Sequence, residues 1–250
     1  MNINEYSQTY MTSYDFEKTL VNYRRKVVIE FLQLNSSASV LEVGCGLESA
    51  YLTYIELADR ADIEWTIIEP SIEFFEKAQN ELPSSVYLKN EFLENVQKSD
   101  LGRFDTIICA GLLHEVVDPC HFLNSLKRFM CKDTVVHLSV PNAGSLHRVI
   151  AQNMGLINDL GELSERNLSL GQDVVFTMSS LKALIAKSGF NISNHGGFFL
   201  KPFSHAQMRE INSILTPQLL DGLHETGKLM SDIASEIFVE FQWNDHGNRS

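Results

Sequence analysis

Five short runs rich in β-branched and apolar residues recur over the first 140 positions, and most are followed by a helix-like stretch. They are 39–43, 64–69, 86–88, 104–109 and 134–140. Residues 49–59 read as a helix after the first run. Pro70 stops the second, and Ser71 caps a helix through Ala78. Asp118-Pro119 supplies an N-cap and an N1 proline before an apolar face of Phe122, Leu123, Leu126, Phe129 and Met130. Strands alternating with helices at this interval predict an α/β fold with a doubly wound parallel sheet. Ligands of such sheets bind beyond the carboxyl ends of the strands. The residues just after each run are therefore the candidates for function.

The rest of the chain fits around that core. Residues 14–33 carry Leu20, Val21, Val27, Val28, Phe31 and Leu32 at helical spacing. Residues 143–173 hold helix-like pieces and turns, and Ser179 or Ser180 caps a helix closed by Gly189. A sixth strand is expected over 190–200, two helices over 202–234, and a seventh, alternating strand over 235–243. The expectation is one domain over 1–250, with a seven-stranded, mostly parallel sheet and helical caps at 1–35, 143–173 and 202–234.

The formal net charge of −12 argues against nucleic acid or an anionic membrane as partner. The one dense basic run, Arg24-Arg25-Lys26, reads as a solvated helix face. The four cysteines include no C-x-x-C pair, which suits a reducing compartment without a structural metal. The polar start lacks the apolar core of a signal peptide, and no apolar run approaches a membrane span. A cytoplasmic protein, monomeric or homodimeric, is expected.

The first strand ends in Gly44-Cys45-Gly46, a turn that lets backbone approach a ligand closely. A dinucleotide loop would carry a third glycine at 49, where Ser49 stands. Glu48 would repel a phosphate at the helix N-terminus. The second strand ends in Glu69, 25 residues after Gly44, where a carboxylate can accept hydrogen bonds from both ribose hydroxyls. The pattern favours an adenosine cofactor without phosphate over NAD or FAD.

Residues 40–46, an acid followed by G-x-G, resemble the first motif of class I S-adenosylmethionine-dependent methyltransferases, a Rossmann-like family. The resemblance extends over 40–140. It implies that Gly44 and Gly46 make room for the cofactor, Glu42 serves its methionyl amino end and Glu69 its ribose. It places Glu91 and Phe92, with Asn90 competing for the register, near the adenine. Ala110, Gly111 and Leu112 would face the methyl donor, and Tyr10 or Tyr14 would cover it. The family's L-E-H-V-x-D-P appears here as Leu113-His114-Glu115-Val116-Val117-Asp118-Pro119, with the acid and histidine inverted. The stretches 140–148 and 201–208 are similar to a bacterial subgroup associated with surface-polysaccharide and secondary-metabolite genes. The family also resembles ubiquinone-type and polysaccharide or secondary-metabolite O-methyltransferases, an association with a pathway and not with a substrate. The size of the caps suggests an enclosed site and a small polar acceptor.

An oxygen or nitrogen acceptor gains from losing a proton, and histidine is the natural base. Of eight histidines, His114, His147 and His205 follow strands on the ligand side. His114 is the expected general base, with His147 or His205 binding or polarising the acceptor. A metal held by the three is disfavoured by their separation in sequence. Arg148 and Lys201 border the same cleft and are candidates for a phosphate or carboxylate on the acceptor. The residues do not separate a hydroxyl of a sugar or nucleotide-sugar from an amine.

Overall fold

The computed structural model describes residues 3–12, 16–58, 62–170 and 172–243. Its strands are β1 (Ser39–Val43), β2 (Glu64–Ile68), β3 (Tyr87–Lys89), β4 (Phe104–Ala110), β5 (Met130–Pro141), β6 (Phe190–Phe198) and β7 (Glu236–Trp243). They form one seven-stranded sheet in the order β3-β2-β1-β4-β5-β7-β6. β7 runs antiparallel to both its neighbours, and the pairings among β1 to β5 are parallel. The chain leaves β1 for β2 on one side and returns to place β4 on the other. The crevice at this switch point lies beyond the ends of β1 and β4.

The helices are α1 (Ile3–Thr12), α2 (Glu17–Asn35), α3 (Ala50–Leu57), α4 (Ile72–Glu81), α5 (Lys98–Leu101), α6 (Pro119–Leu126), α7 (Leu146–Asn153), α8 (Glu165–Ser169), α9 (Met178–Lys187), α10 (His205–Glu210) and α11 (Pro217–Leu229). The strands sort their side chains by the period of two. Leu41, Val43, Ile107 and Cys109 pack with Phe122, Leu126, Leu181 and Ile185 on the α6 and α9 face. Val40, Ile67 and Ile108 pack with Val28, Phe31, Ala50 and Tyr54 on the α2 and α3 face. Each fully buried Val, Leu, Ile or Phe among them contributes roughly 1.5–3 kcal/mol. A third cluster, including Leu20, Tyr23, Phe198 and Phe199, binds α2 to α10, α11 and the end of β6.

Several boundaries differ from the sequence reading. β5 begins at Met130, four residues early, because the ladder with β4 is irregular between Phe104 and Thr106. Thr134 fills that irregularity: its hydroxyl accepts from Cys131 N and donates to the Phe104 carbonyl. The cap of α9 is Thr177, whose side chain accepts from Ser180 N, rather than Ser179 or Ser180. Within the helical cap expected over 1–35, α1 is a separate helix ahead of the one read over 14–33. It packs on α4, where Ser7 Oγ donates to Glu73 and the Tyr10 ring meets Phe74 edge-on at 6.1 Å between centroids. Ile3, Tyr6 and Tyr10 stand three and four residues apart, the spacing of one helical stripe, and this was the available signal. Among the described residues no helix is long and apolar enough to cross a membrane.

Candidate active site

A cavity of about 660 Å³ opens beyond the carboxyl ends of β1, β2, β4 and β5. This lies within the usual range for a small-molecule site. Its first half is built around the turn after β1. Gly44 and Gly46 hold φ of +74° and +59°, the left-handed region that favours glycine. A Cβ on Gly44 would also stand 3.2 Å from Leu112, so the turn lies tight against the end of β4.

Two buried carboxylates fix this turn. Glu42 accepts from Ser49 Oγ, from Ala50 N at 2.8 Å and from Trp65 Nε1 at 2.9 Å. Burial pushes its carboxyl above the ordinary range, and these hydrogen bonds oppose the shift. Glu42 thus ties β1 to the start of α3 and to β2 while lining the cavity. Glu69 accepts from Gly46 N at 3.1 Å through one oxygen and from Ser71 N at 2.9 Å through the other. The Cys45 thiol donates to it as well, at 3.6 Å, and burial raises the carboxyl to about 7 against these bonds. Each carboxylate oxygen has two lone pairs, so Glu69 keeps acceptor capacity toward the cavity that it lines.

Glu48 neither lies free nor caps α3. Its carboxylate pairs with Arg25 at 2.6 Å, its carbonyl accepts from the same guanidinium, and the cap is Ser49. Burial alone would raise the Glu48 carboxyl, but the bond and charge of Arg25 hold it below its ordinary value. The expected repulsion of phosphate by a bare acid at 48 is therefore largely neutralised, and the missing third glycine carries more of that argument.

Beyond β3, Phe92 lines the cavity but Glu91 does not. The Glu91 carboxylate folds back to accept from Phe92 N and Asn95 Nδ2, both at 2.9 Å. Asn90 instead reaches the Glu69 and Pro70 carbonyls at 2.8 and 3.1 Å and fastens the two loops. Ala110, Gly111, Leu112 and Tyr10 all face the cavity. Tyr14 lies outside the described residues.

The second half is polar and buried. Arg24 and Arg25 are not a solvated face: they are 9% and 8% exposed, and only Lys26 reaches outward, to Asp221 at 3.1 Å. The guanidinium of Arg24 donates to both oxygens of Glu236 at 2.7 and 2.6 Å and to Glu17 at 3.0 Å. Burial works against its charge, yet the two carboxylates hold it protonated well above the ordinary value. The guanidinium also lies over Gly111, whose φ is +80°; a Cβ there would come within 2.8 Å of it.

All three expected histidines line the cavity. His114 follows β4 in a single 3-10 turn, with Nε2 3.6 Å from Glu115 Oε1 and Nδ1 buried without a hydrogen bond. Burial and the charge of Arg24 lower its imidazole to about 3. His147 is lowered to about 2 by burial and by Lys201, His205 and Arg148. His205 sits 3.9 Å from Glu17 and edge-on to Phe16. The imidazoles of His114 and His147 are therefore neutral at pH 7 and are weak proton acceptors. Glu115 accepts from Gln172 Nε2 at 3.2 Å and from the Tyr6 hydroxyl, and burial raises its carboxyl to about 7. Arg148 lines the cavity; its Nη2 donates to the Leu160 and Glu162 carbonyls, and its Nε is buried without a hydrogen bond. Lys201 is 3% exposed at the cavity wall.

The sequence reading missed Glu17, Arg24, Gln172 and Glu236. Arg24 carried a signal, since Leu20, Arg24 and Val28 fall on one stripe at i, i+4 and i+8. Glu17, seven residues before Arg24, falls on the same helix stripe. Gln172 and Glu236 carried no signal, because Glu115 and Arg24 lie 57 and 212 positions away.

A family profile described as a methyltransferase domain matches residues 17–195. No curated protein matches the chain. Among solved structures, the plantazolicin methyltransferase BamL, in complex with a triazolic desmethylPZN analog and SAH, superposes with a TM-score of 0.58. It shares 17% identity, covering 97% of this chain and 98% of that one. An S-adenosylmethionine-dependent methyltransferase from Mesorhizobium loti gives 0.54 at 14% identity, over 82% and 90% of the two chains. The CurJ carbon methyltransferase gives 0.53 at 16%, over 90% and 53%.

Proposed function

Because the chain belongs to this methyltransferase-domain family, the class I enzymes that use S-adenosylmethionine, we propose that it methylates a small polar acceptor, most simply a hydroxyl of a sugar, nucleotide-sugar or related metabolite. The observation that carries this reading is the lining of the cavity's second half. Buried carboxylates, a cation and neutral imidazoles line a partly open cavity of small-molecule size. The caps at 1–35, 143–173 and 202–234 supply much of that lining, which disfavours a folded protein or a duplex as acceptor.

The residues present suit the cofactor. The positive-φ glycines leave the turn without side chains, and Glu69 offers carboxylate acceptors where a ribose would lie. Gly44, Gly46, Glu69, Phe92, Ala110 and Leu112 are the proposed binding residues. Glu42 supports the loop from within, its carboxylate being committed to Ser49, Ala50 and Trp65. When bound, S-adenosylmethionine supplies a methyl group on an electrophilic sulfonium. The chain contributes position and exclusion of water. His114, His147 and His205 are proposed to orient the acceptor through their ring nitrogens.

A second reading, N-methylation of an amino sugar or other small amine, is favoured by the carboxylates Glu17, Glu115 and Glu236 along the same wall. Incubation with isotope-labelled S-adenosylmethionine and sugar, nucleotide-sugar and amine pools, followed by mass measurement, tests both. A label on oxygen supports the first reading and a label on nitrogen the second. Heat protection by S-adenosylhomocysteine with no labelled product from any pool would refute both.

A further inference from the structure

We propose that Glu115, rather than a histidine, takes the proton released by the acceptor, and that Tyr6 and Gln172 hold its carboxylate in place for that step. The inference rests on the methyltransferase reading and deepens it.

Three observations place Glu115 there. It lines the cavity from the turn directly after Ala110, Gly111 and Leu112, the stretch expected to face the methyl donor. Its carboxylate is held from two other elements, by Gln172 Nε2 at 3.2 Å and by the Tyr6 hydroxyl of α1. Two donors fix the plane of the carboxylate and leave lone pairs free to accept one more proton. The competing imidazole of His114 stands 3.6 Å away.

The charges around the pair separate the two candidates. Glu115 is faced by Tyr6 from α1, by Glu17 and Arg24 from α2, and by His114 beside it. Burial and Glu17 push its carboxyl up, while Arg24 and the two hydrogen bonds pull it down, leaving it at about 7. The same burial and the same Arg24 press His114 to about 3. A base works best with a pKa near the working pH. An imidazole at 3 is about four decades weaker as a proton acceptor than one at 7.

In the step, the acceptor oxygen or nitrogen forms a bond to the methyl carbon as the carbon–sulfur bond breaks, with that electron pair remaining on sulfur. The acceptor's proton passes to a Glu115 oxygen. The products are the methylated acceptor, S-adenosylhomocysteine and a protonated Glu115, which returns its proton to solvent.

The test uses the full chain. Infrared difference spectra between wild type and Glu115→Gln, both with S-adenosylhomocysteine, should show one carboxyl band that titrates near pH 7. With the acceptor identified by labelling, Glu115→Gln should lose about 100-fold or more in kcat with KM within about threefold. The wild-type kcat should rise with pH through about 7. A band titrating below pH 5 would overturn the proposal, as would Glu115→Gln keeping over a tenth of kcat while His114→Gln loses it. Should Glu115→Gln fail to fold, the pH profiles of wild type and Glu69→Gln at saturating cofactor decide: a rise near 7 in both supports Glu115, and a flat wild-type profile from pH 5.5 to 8.5, or a rise lost in Glu69→Gln, overturns it. Failure of S-adenosylhomocysteine to bind the wild-type chain would sink the methyltransferase reading itself, a distinct result.

Discussion

The carboxylate of Glu69 should make the cofactor-free protein less stable as the pH rises from 5 to 8, and Glu69→Gln should remove much of that loss. The group is 3% exposed, and burial lifts it from an ordinary 4.5 to about 7. A folded value above the unfolded one means that the native state binds the proton more tightly. The stability this gives is fully present below 4.5 and is lost as the pH climbs through 7. Integrated between the two values, the loss from pH 5 to pH 8 is about 2.5 kcal/mol. Glutamine cannot ionise, so its own cost is independent of pH. That cost arises because one of the two donors, Gly46 N or Ser71 N, must then face an amide NH2, roughly 1–3 kcal/mol. Urea unfolding of both proteins at pH 5, 6, 7 and 8 measures the difference. Glu115, also held at about 7, is present in both chains and cancels. The variant should gain on wild type by about 2.5 kcal/mol across the range. A difference that changes by less than about 0.5 kcal/mol, or a variant that loses ground to wild type as the pH rises, would refute this account of Glu69.

The other substitutions probe the frame of the site. Ser49→Ala removes both the cap of α3 and a donor to Glu42, and should lower unfolding stability by about 1–2 kcal/mol in urea. Arg24→Met leaves Glu236 and Glu17 buried without their cation, and should cost about 3–5 kcal/mol by the same measurement. Gly111→Ala places a Cβ against that guanidinium at a positive φ; it should cost about 1–3 kcal/mol and weaken S-adenosylhomocysteine binding in calorimetry.

What could be read from the sequence was what local pattern encodes. The five runs along the first 140 residues, the turn at Gly44 and Gly46, and Glu69 after β2 all announce themselves within ten residues of their own position. Asp118 and Ser71 did the same as caps, since a side chain that accepts from a backbone N–H two or three residues on needs no distant partner. The parts that escaped are pairings across the fold. Arg24 reads as one of three cations on a helix until Glu236, from β7, is seen to meet it. Glu48 reads as a bare acid until Arg25 closes on it. Glu91 and Asn90 differ by one position, and the choice between facing the cavity and tying loops together depends on how β3 ends. The histidines were found by position, but their proton affinity depends on burial and on Arg24, neither of which a linear reading supplies.

The place of β7 in the sheet has a consequence for how the chain is made. Among the described residues β6 pairs only with β7, which slots in between it and β5. During synthesis, β6 therefore leaves the ribosome with no strand to join, and waits until residues 236–243 follow. Arg24 waits longer, for a partner 212 positions away. At roughly 5–20 residues per second, its guanidinium goes about 10–40 s before Glu236 exists to meet it. The half of the pocket that would receive the cofactor is complete in sequence by Leu112, whereas the proposed acceptor wall closes only with β7. On that proposal a nascent chain assembles its donor side first and its acceptor side only once β7 has followed.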